Sequence, residues 1–247
     1  MNRADAPFRI VAEQLLPHGR LAVVQLPDVS SDATLHETLE EGAHSLLTAE
    51  RELAQRLAVP RRISFIGGRL ALRTALSWVL PATRALPVLR NSRGAPLMPP
   101  GILGSVSHKR RLAVALAALP TSEIHTLGID VEETPDERDL ARLDLAPKIL
   151  TPFERRALVS LEARDVLAYR EAVRLRFALK EAVYKCIDPH VQRYVRFQEV
   201  EVFPEDAGAT DVRLSLPEFA GRSVLVRAWW LRLDAHLIAT AVCSPLA

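Results

Sequence analysis

The six residues Leu127-Gly128-Ile129-Asp130-Val131-Glu132 constrain this chain more than any others. Leu127, Ile129 and Val131 alternate with Gly128, Asp130 and Glu132, and the side-chain period of two in an extended chain sends the two sets to opposite faces. The stretch reads as a buried strand that carries two acids side by side. At a rise of about 3.3 Å per residue, Asp130 and Glu132 stand roughly 7 Å apart along the backbone, near enough for their oxygens to converge on one small hard cation. An ordinary half-buried strand with acids on a wet face has the same pattern, so the choice rests on what the rest of the chain brings to it.

Around this stretch the pattern alternates between strands and helices. Residues 20–26 are a short apolar run closed by Pro27 and read as a strand. Over 35–57 the apolar positions Leu35, Leu39, Ala43, Leu46, Leu47, Leu53 and Leu57 recur at helical spacing among glutamates, which predicts one helix ended by Pro60. Residues 61–80 predict a second helix whose start is blurred by Gly67-Gly68. On a continuous helix Arg62, Arg69 and Arg73 share a face, either as a small cationic stripe or as snorkelling side chains on a solvated surface. Residues 81–104, rich in Pro, Gly and Arg, read as an irregular loop. Residues 112–119 read as another apolar strand, and polar 121–126 as a boundary between subdomains 1–122 and 123–247.

Beyond the acid-bearing strand, 133–145 reads as charged surface. Thr151-Pro152-Phe153-Glu154 is a strong helix start, with Thr as N-cap, Pro first and Glu third. One long helix or two joined ones run from there to Lys185. The tail segments 195–203, 212–216, 223–233 and 236–243 predict strands, with Asp234-Ala235 as a hairpin turn and Trp229 and Trp230 on opposite faces.

Two further stretches bear on chemistry. Ser107 and His108 are neighbours on an extended segment and point opposite ways, and no G-x-S-x-G elbow surrounds them, so a histidine-activated serine nucleophile is not expected. Glu181 and Lys185 lie four apart on one helical face, a spacing that by itself describes a surface ion pair. Together and in order, however, Ser105-Val106-Ser107-His108, then Gly128-Ile129-Asp130-Val131-Glu132, then the F-x-x-K-E-A-x-x-K run from Phe177 to Lys185 resemble the Sfp-type phosphopantetheinyl transferases. The Pro-rich approach through Gly94-Ala95-Pro96 and Pro99-Pro100-Gly101 looks most like the members that serve siderophore and polyketide synthases.

The resemblance implies an α+β fold of two similar α/β subdomains with pseudo-two-fold symmetry and an active site in the cleft between them. It implies that Asp130, Glu132 and Glu181 hold magnesium, with Lys185 aimed at the same phosphate. It also implies that His108, with Ser107, hydrogen-bonds the phosphates of coenzyme A, and that a Gly-Arg element near Arg69, with Arg62 and Arg73, helps. Where the family often has a lysine that meets the nucleotide, before the Pro of a G-x-P turn, this chain has Ala95, which leaves Arg93 or Arg90 to supply the charge. Coenzyme A is then the donor and a serine on an acyl or peptidyl carrier protein the acceptor. The serine proton would go to Glu181 or to a water on the metal. A metal-dependent phosphohydrolase using the same acids, and a non-catalytic module that binds coenzyme A or carrier domains, are the alternatives.

Composition narrows the remaining classes. Hydrophobic residues at 49% and charged residues at 25% place the chain among globular proteins. A formal charge of +2 is too small for bulk nucleic-acid or membrane binding, and no aromatic-basic repeat is present. No apolar run is long enough to span a bilayer, and MNRADAPFRI lacks the apolar core of a secretory signal, so a cytoplasmic location is expected. Cys186 and Cys243 form no ligand cluster, which argues against zinc and a disulfide framework. The duplicated architecture that the resemblance implies can build its site within one chain, so a monomer is expected.

Overall fold

A computed structural model describes residues 6–28, 35–82, 86–138, 145–206, 208–220 and 224–244. The chain divides into two compact units, Met1–Pro120 and Thr121–Ala247. In the first, strands β1 (Arg9–Leu16), β2 (Gly19–Gln25), β3 (Leu103–Lys109) and β4 (Leu112–Ala118) form an antiparallel sheet in the order β1-β2-β4-β3. Helices α1 (Leu35–His44), α2 (Thr48–Gln55) and α3 (Val59–Val79) complete the unit. β4 is buried along its whole length, and it forms a core with β2 and α3 built from Ala22, Val24, Ile66, Leu72, Ala113 and Ala115. Strand β1 escapes the pattern reading because it sits at a sheet edge with most of its residues exposed, so no core imposes an alternation on it.

The single helix expected over 35–57 is two. Ser45 Oγ turns back to the Gly42 carbonyl at 2.7 Å, while Arg51 donates to the carbonyls of Ala43 and Leu46, which closes α1. Glu50 then accepts the Leu47 amide at 3.1 Å and opens α2. Gly67 and Gly68, by contrast, do not interrupt α3. A Cβ on Gly67 would run into Leu26, and one on Gly68 would lie 2.9 Å from Val106 Cγ1, so the pair lets the helix lie close on its sheet.

The second unit holds β5 (Thr126–Glu133), α4 (Ala146–Ile149), α5 (Pro152–Arg164), α6 (Val166–Val191), β6 (Val200–Pro204), β7 (Ala209–Leu214), β8 (Val226–Leu233) and β9 (His236–Cys243). Its antiparallel sheet runs β5-β9-β8-β7-β6. The predicted start at Thr151 forms a full capping box: Thr151 Oγ1 accepts from the Glu154 amide at 3.2 Å, and Glu154 Oε2 accepts from the Thr151 amide at 2.8 Å. Asp165 caps α6 by accepting the Ala168 amide at 2.9 Å, which divides the long helical stretch in two. The β8–β9 hairpin turns at Asp234, whose φ is +49°. Part of the predicted surface stretch, 139–144, and the first residue of the strand expected over 223–233 lie outside the described residues.

The two units share a device that no self-similarity in the sequence reveals. In each, a glutamate at the third position of a short helix is fully buried. Glu50 accepts from the amides of Leu47 and Val88 and pairs with Arg73 of the long helix α3. Glu154 accepts from the amides of Thr151 and Val202 and pairs with Lys180 of the long helix α6. One carboxylate thus locks a helix start, a long helix and the segment that follows it.

Candidate active site

The site is set by how closely α6 lies on β5. A Cβ on Gly128 would stand well inside van der Waals contact of the Ala182 carbonyl oxygen and 2.8 Å from the Cys186 nitrogen, so only glycine permits this approach. Asp130 and Glu132 share that strand face, and in register with β9 they lie opposite Ala239 and Leu237. Both acids are therefore under the helix rather than in water, with exposures of only 6% and 5%. The reading of an acid-bearing wet face is excluded.

Carboxylates buried this deeply require compensation, and α6 supplies it. Lys185 Nζ donates to Asp130 Oδ1 at 2.7 Å and to the Ile129 carbonyl at 2.9 Å. Arg174 Nη1 lies 3.6 Å from Glu132 Oε2 and donates to the Glu133 carbonyl at 3.3 Å. Glu181 lies on the same helical face between these two cations and is half-buried. Burial pushes its carboxyl pKa above the ordinary range, Asp130 and Glu132 push it further, and Lys185 pulls it back. The three acids therefore feel one another across the α6–β5 contact. The Glu181–Lys185 surface pair suggested by spacing is replaced by a Lys185–Asp130 pair between helix and strand.

As the side chains stand, the described residues include no group of three or more His, Cys, Asp or Glu arranged to hold a metal ion. The convergence expected at a single ion is thus not preformed, with Asp130 drawn to Lys185 and Glu132 to Arg174. The donor set itself is of the kind a hard cation takes: three carboxylates close enough to influence one another.

Other expected site residues have different surroundings. Arg62, Arg69 and Arg73 do lie along one helix, but their face is covered within the first unit. Arg62 donates to the carbonyls of Ala54 and Gln55, at 3.0 and 2.9 Å, and so caps α2. Arg69 donates to the Val88 and Leu89 carbonyls and stacks on Phe65, and its burial lowers its pKa to about 10. Arg73 meets Glu50. The open cationic stripe gives way to three structural ties. On β3, Ser107 is buried and His108 exposed, the alternation expected of an extended strand. Arg93 is exposed in a tight turn where Asn91 Oδ1 accepts from the amides of Arg93 and Ala95.

Two residues have roles that the sequence reading did not assign. Arg174 shares the helical face of Glu181 and Lys185, and extending that spacing one step toward the N-terminus would have found it. Lys180, adjacent to Glu181 in the motif, belongs to the fold instead: it donates to the Ile149 and Phe197 carbonyls and to Glu154, and is 1% exposed.

A unit with an antiparallel sheet, a long helix against its edge strand and an acid cluster at their contact follows a smaller sheet-and-helix unit in the same chain. Residues 126–241 match the 4′-phosphopantetheinyl transferase superfamily, and residues 49–118 match the 4′-phosphopantetheinyl transferase N-terminal domain. The chain belongs to the 4′-phosphopantetheinyl transferase family.

Within that family its relatives are of the Sfp and enterobactin synthase D type. The 4′-phosphopantetheinyl transferase Svp of Streptomyces mobaraensis is 36% identical over 181 residues, covering 70% of this chain and 68% of that protein. Enterobactin synthase component D of Salmonella typhimurium is 31% identical over 180 residues, covering 72% and 70%. The 4′-phosphopantetheinyl transferase Npt of Nocardia iowensis is 31% identical over 166 residues, covering 66% and 68%.

Proposed function

We propose that this chain transfers the 4′-phosphopantetheine group of coenzyme A to a serine hydroxyl of an acyl or peptidyl carrier protein. The serine oxygen bonds to the β-phosphorus of the coenzyme's pyrophosphate, the bond from that phosphorus to the bridging oxygen breaks, and 3′,5′-ADP leaves with the electron pair. The observation that supports this reading is that Glu181 on α6 feels the charges of the buried Asp130 and Glu132 on β5, in a chain that belongs to this family. Those three carboxylates would hold magnesium, which when bound offsets charge on the pyrophosphate. The raised pKa of Glu181 suits it to take the serine proton. Lys185 orients Asp130 and brings positive charge near the leaving phosphate. Toward the phosphates of coenzyme A we assign the exposed His108 and Arg93, with Ser107 next to His108 in the chain.

The test is to incubate the chain with coenzyme A, magnesium and an apo carrier protein and to weigh the carrier. A gain of one phosphopantetheine is expected. Cleavage of coenzyme A without a gain would make the chain a phosphohydrolase, and neither product would leave it a binding module. Glu181→Gln should abolish transfer more completely than it weakens coenzyme A binding.

A further inference from the structure

The buried glutamates of the two units direct their bonds to different kinds of segment. Glu154 reaches the amide of Val202, which lies in β6 and is held in a sheet by β7. Glu50 reaches the amide of Val88, at 2.8 Å, in a segment that belongs to none of the named strands. Val88 is the root of a short hairpin over 88–97. Leu97 donates to the Leu89 carbonyl at 3.0 Å, Asn91 donates to the Ala95 carbonyl at 2.9 Å, and Arg90 bridges to Pro96. At the turn Asn91 Oδ1 accepts from the amides of Arg93 and Ala95, at 2.9 and 3.0 Å. Arg90 and Arg93 are exposed, whereas Val88 is buried. Both backbone groups of Val88 are gripped from outside the hairpin: Glu50 of α2 accepts from its amide, and Arg69 of α3 donates to its carbonyl and to that of Leu89. The charge of Glu50 also acts on Arg69, opposing the effects of Arg90 and Arg73. A carboxylate taken fully out of water is a costly support for an exposed loop, which points to what the loop carries.

We propose that Glu50 is a positioning residue for coenzyme A: through the Val88 amide it fixes the direction of the hairpin 88–97, and with it the place where Arg93 meets the coenzyme's phosphates. The inference rests on the assignment of Arg93 to those phosphates given above. The hairpin transmits the hold because its rungs and the Asn91 side chain tie the turn to the segment that starts at Val88. Val88 and Asn91 are about 10 Å apart at about 3.3 Å per residue, so a tilt of about ten degrees at the root moves the turn by about 2 Å. A hydrogen bond from a guanidinium to a phosphate tolerates only a few tenths of an ångström. Glu50, fully buried, acts on the ligand only through the backbone it holds. In Glu50→Gln one carboxylate oxygen becomes an amide that donates, so the amides of Leu47 and Val88 and the Arg73 guanidinium are no longer all served by acceptors. Glu50→Asp keeps the charge, but its side chain is one methylene shorter and does not span the two amides.

The experiment is a calorimetric titration of the full chain with coenzyme A, well below each protein's melting temperature, for the parent, Glu50→Gln, Arg93→Ala and the double variant. Each single change should weaken binding about tenfold, as loss of one charge-assisted hydrogen bond predicts. Because both act through one contact, the double variant should be no more than about threefold weaker than either single. Losses that multiply to about 100-fold mean that Glu50 and Arg93 act independently, and they overturn the proposal. Unchanged affinity in Glu50→Gln overturns it too. Amide exchange followed by nuclear magnetic resonance separates positioning from general stability. The amides of Asn91 and Leu97 should exchange at least about tenfold faster in Glu50→Gln, with a smaller change along the β2–β4 ladder. Equal acceleration at both places reduces Glu50 to a structural role and refutes the inference. If Glu50→Gln folds poorly, Glu50→Asp carries the same cycle with the same expected losses. Unchanged affinity in Arg93→Ala removes the hairpin from the coenzyme site and the inference with it, whether or not the chain modifies a carrier protein. A parent chain that shows the coupling and yet adds nothing to the carrier loses the transferase reading and keeps the role of Glu50.

Discussion

Gly128→Ala tests the geometry on which the site depends. The added methyl would have to move from inside contact with the Ala182 carbonyl to the 3.4–4 Å of ordinary van der Waals contact, and the Cys186 nitrogen blocks it at 2.8 Å on a second side. Both obstacles are helix backbone, so no rotamer change relieves the clash and α6 must lift from β5. Overpacking of this kind costs about 1–3 kcal/mol, and the rigid neighbours put Gly128→Ala at the upper end. A shift of about 1 Å at the positions of Glu181 and Lys185 also separates them from Asp130, which is enough to lower turnover about 100-fold.

Gly104→Ala provides the internal comparison. Its Cβ would lie 2.5 Å from Met98 Sδ, the end of a flexible side chain, and 3.2 Å from Leu72 Cδ1. Met98 can repack, so this change should cost less than about 1 kcal/mol. Urea denaturation of both variants, followed by carrier-modification assays on the folded proteins, gives the ordering. If Gly128→Ala is as mild as Gly104→Ala and keeps full turnover, close approach of α6 to β5 does not set the site.

Lys185→Ala should lower turnover by about 10-fold to 1000-fold, since it removes the short bond to Asp130 and the cation proposed to face the leaving phosphate; single-turnover transfer of labelled phosphopantetheine checks this, and unchanged rates would refute the role. Arg193 forks between Glu199 and Glu218, and its hydrogen bonds hold both carboxyls below their ordinary range. A carboxyl whose folded pKa is depressed stabilises the fold above its unfolded pKa, and that contribution is lost as pH falls through the folded value. Melting temperatures of the parent and Arg193→Gln should therefore differ at neutral pH and converge below about pH 4.

Much of the fold can be read from the sequence because local chemistry and tertiary contacts agree. The Thr151–Glu154 cap, the apolar β4 and the Asp234 turn satisfy their own local rules, and the structure uses them as written. Reading failed where a residue's purpose lies in a distant partner. Arg62, Arg69 and Arg73 have the spacing of a surface stripe, yet each is claimed by a carbonyl or carboxylate elsewhere in its unit. Gly67 and Gly68 suggested a blurred helix start because sequence shows only a missing side chain, and not the Leu26 and Val106 atoms that need the space. Asp130 and Glu132 showed their shared strand face but not that α6 covers it, because cover is a property of the partner.

The paired glutamates extend the same point to a difference that sequence could not rank. Glu50 and Glu154 make matching bonds, but their cationic partners differ in access to water: the Arg73 side chain is 20% exposed and that of Lys180 is 1% exposed. In Glu50→Gln, Arg73 can turn toward solvent, so the cost is that of strained or lost hydrogen bonds, about 1–3 kcal/mol. In Glu154→Gln, Lys180 keeps the carbonyls of Ile149 and Phe197 but loses the carboxylate that balances its charge, and removing one partner of a buried pair costs about 3–5 kcal/mol. Burial already lowers the Lys180 pKa, with Glu154 the main opposing influence. Without Glu154 it falls further, so the folded variant binds fewer protons than the unfolded chain over a wider range of pH. Stability then rises with pH wherever the unfolded state holds more protons. Glu154→Gln should thus recover part of its loss between neutral and alkaline pH, whereas Glu50→Gln should not, because an arginine does not release its proton there. Denaturation midpoints for the two variants across that range decide the matter, and parallel pH profiles would show that Lys180 does not depend on Glu154 for its charge.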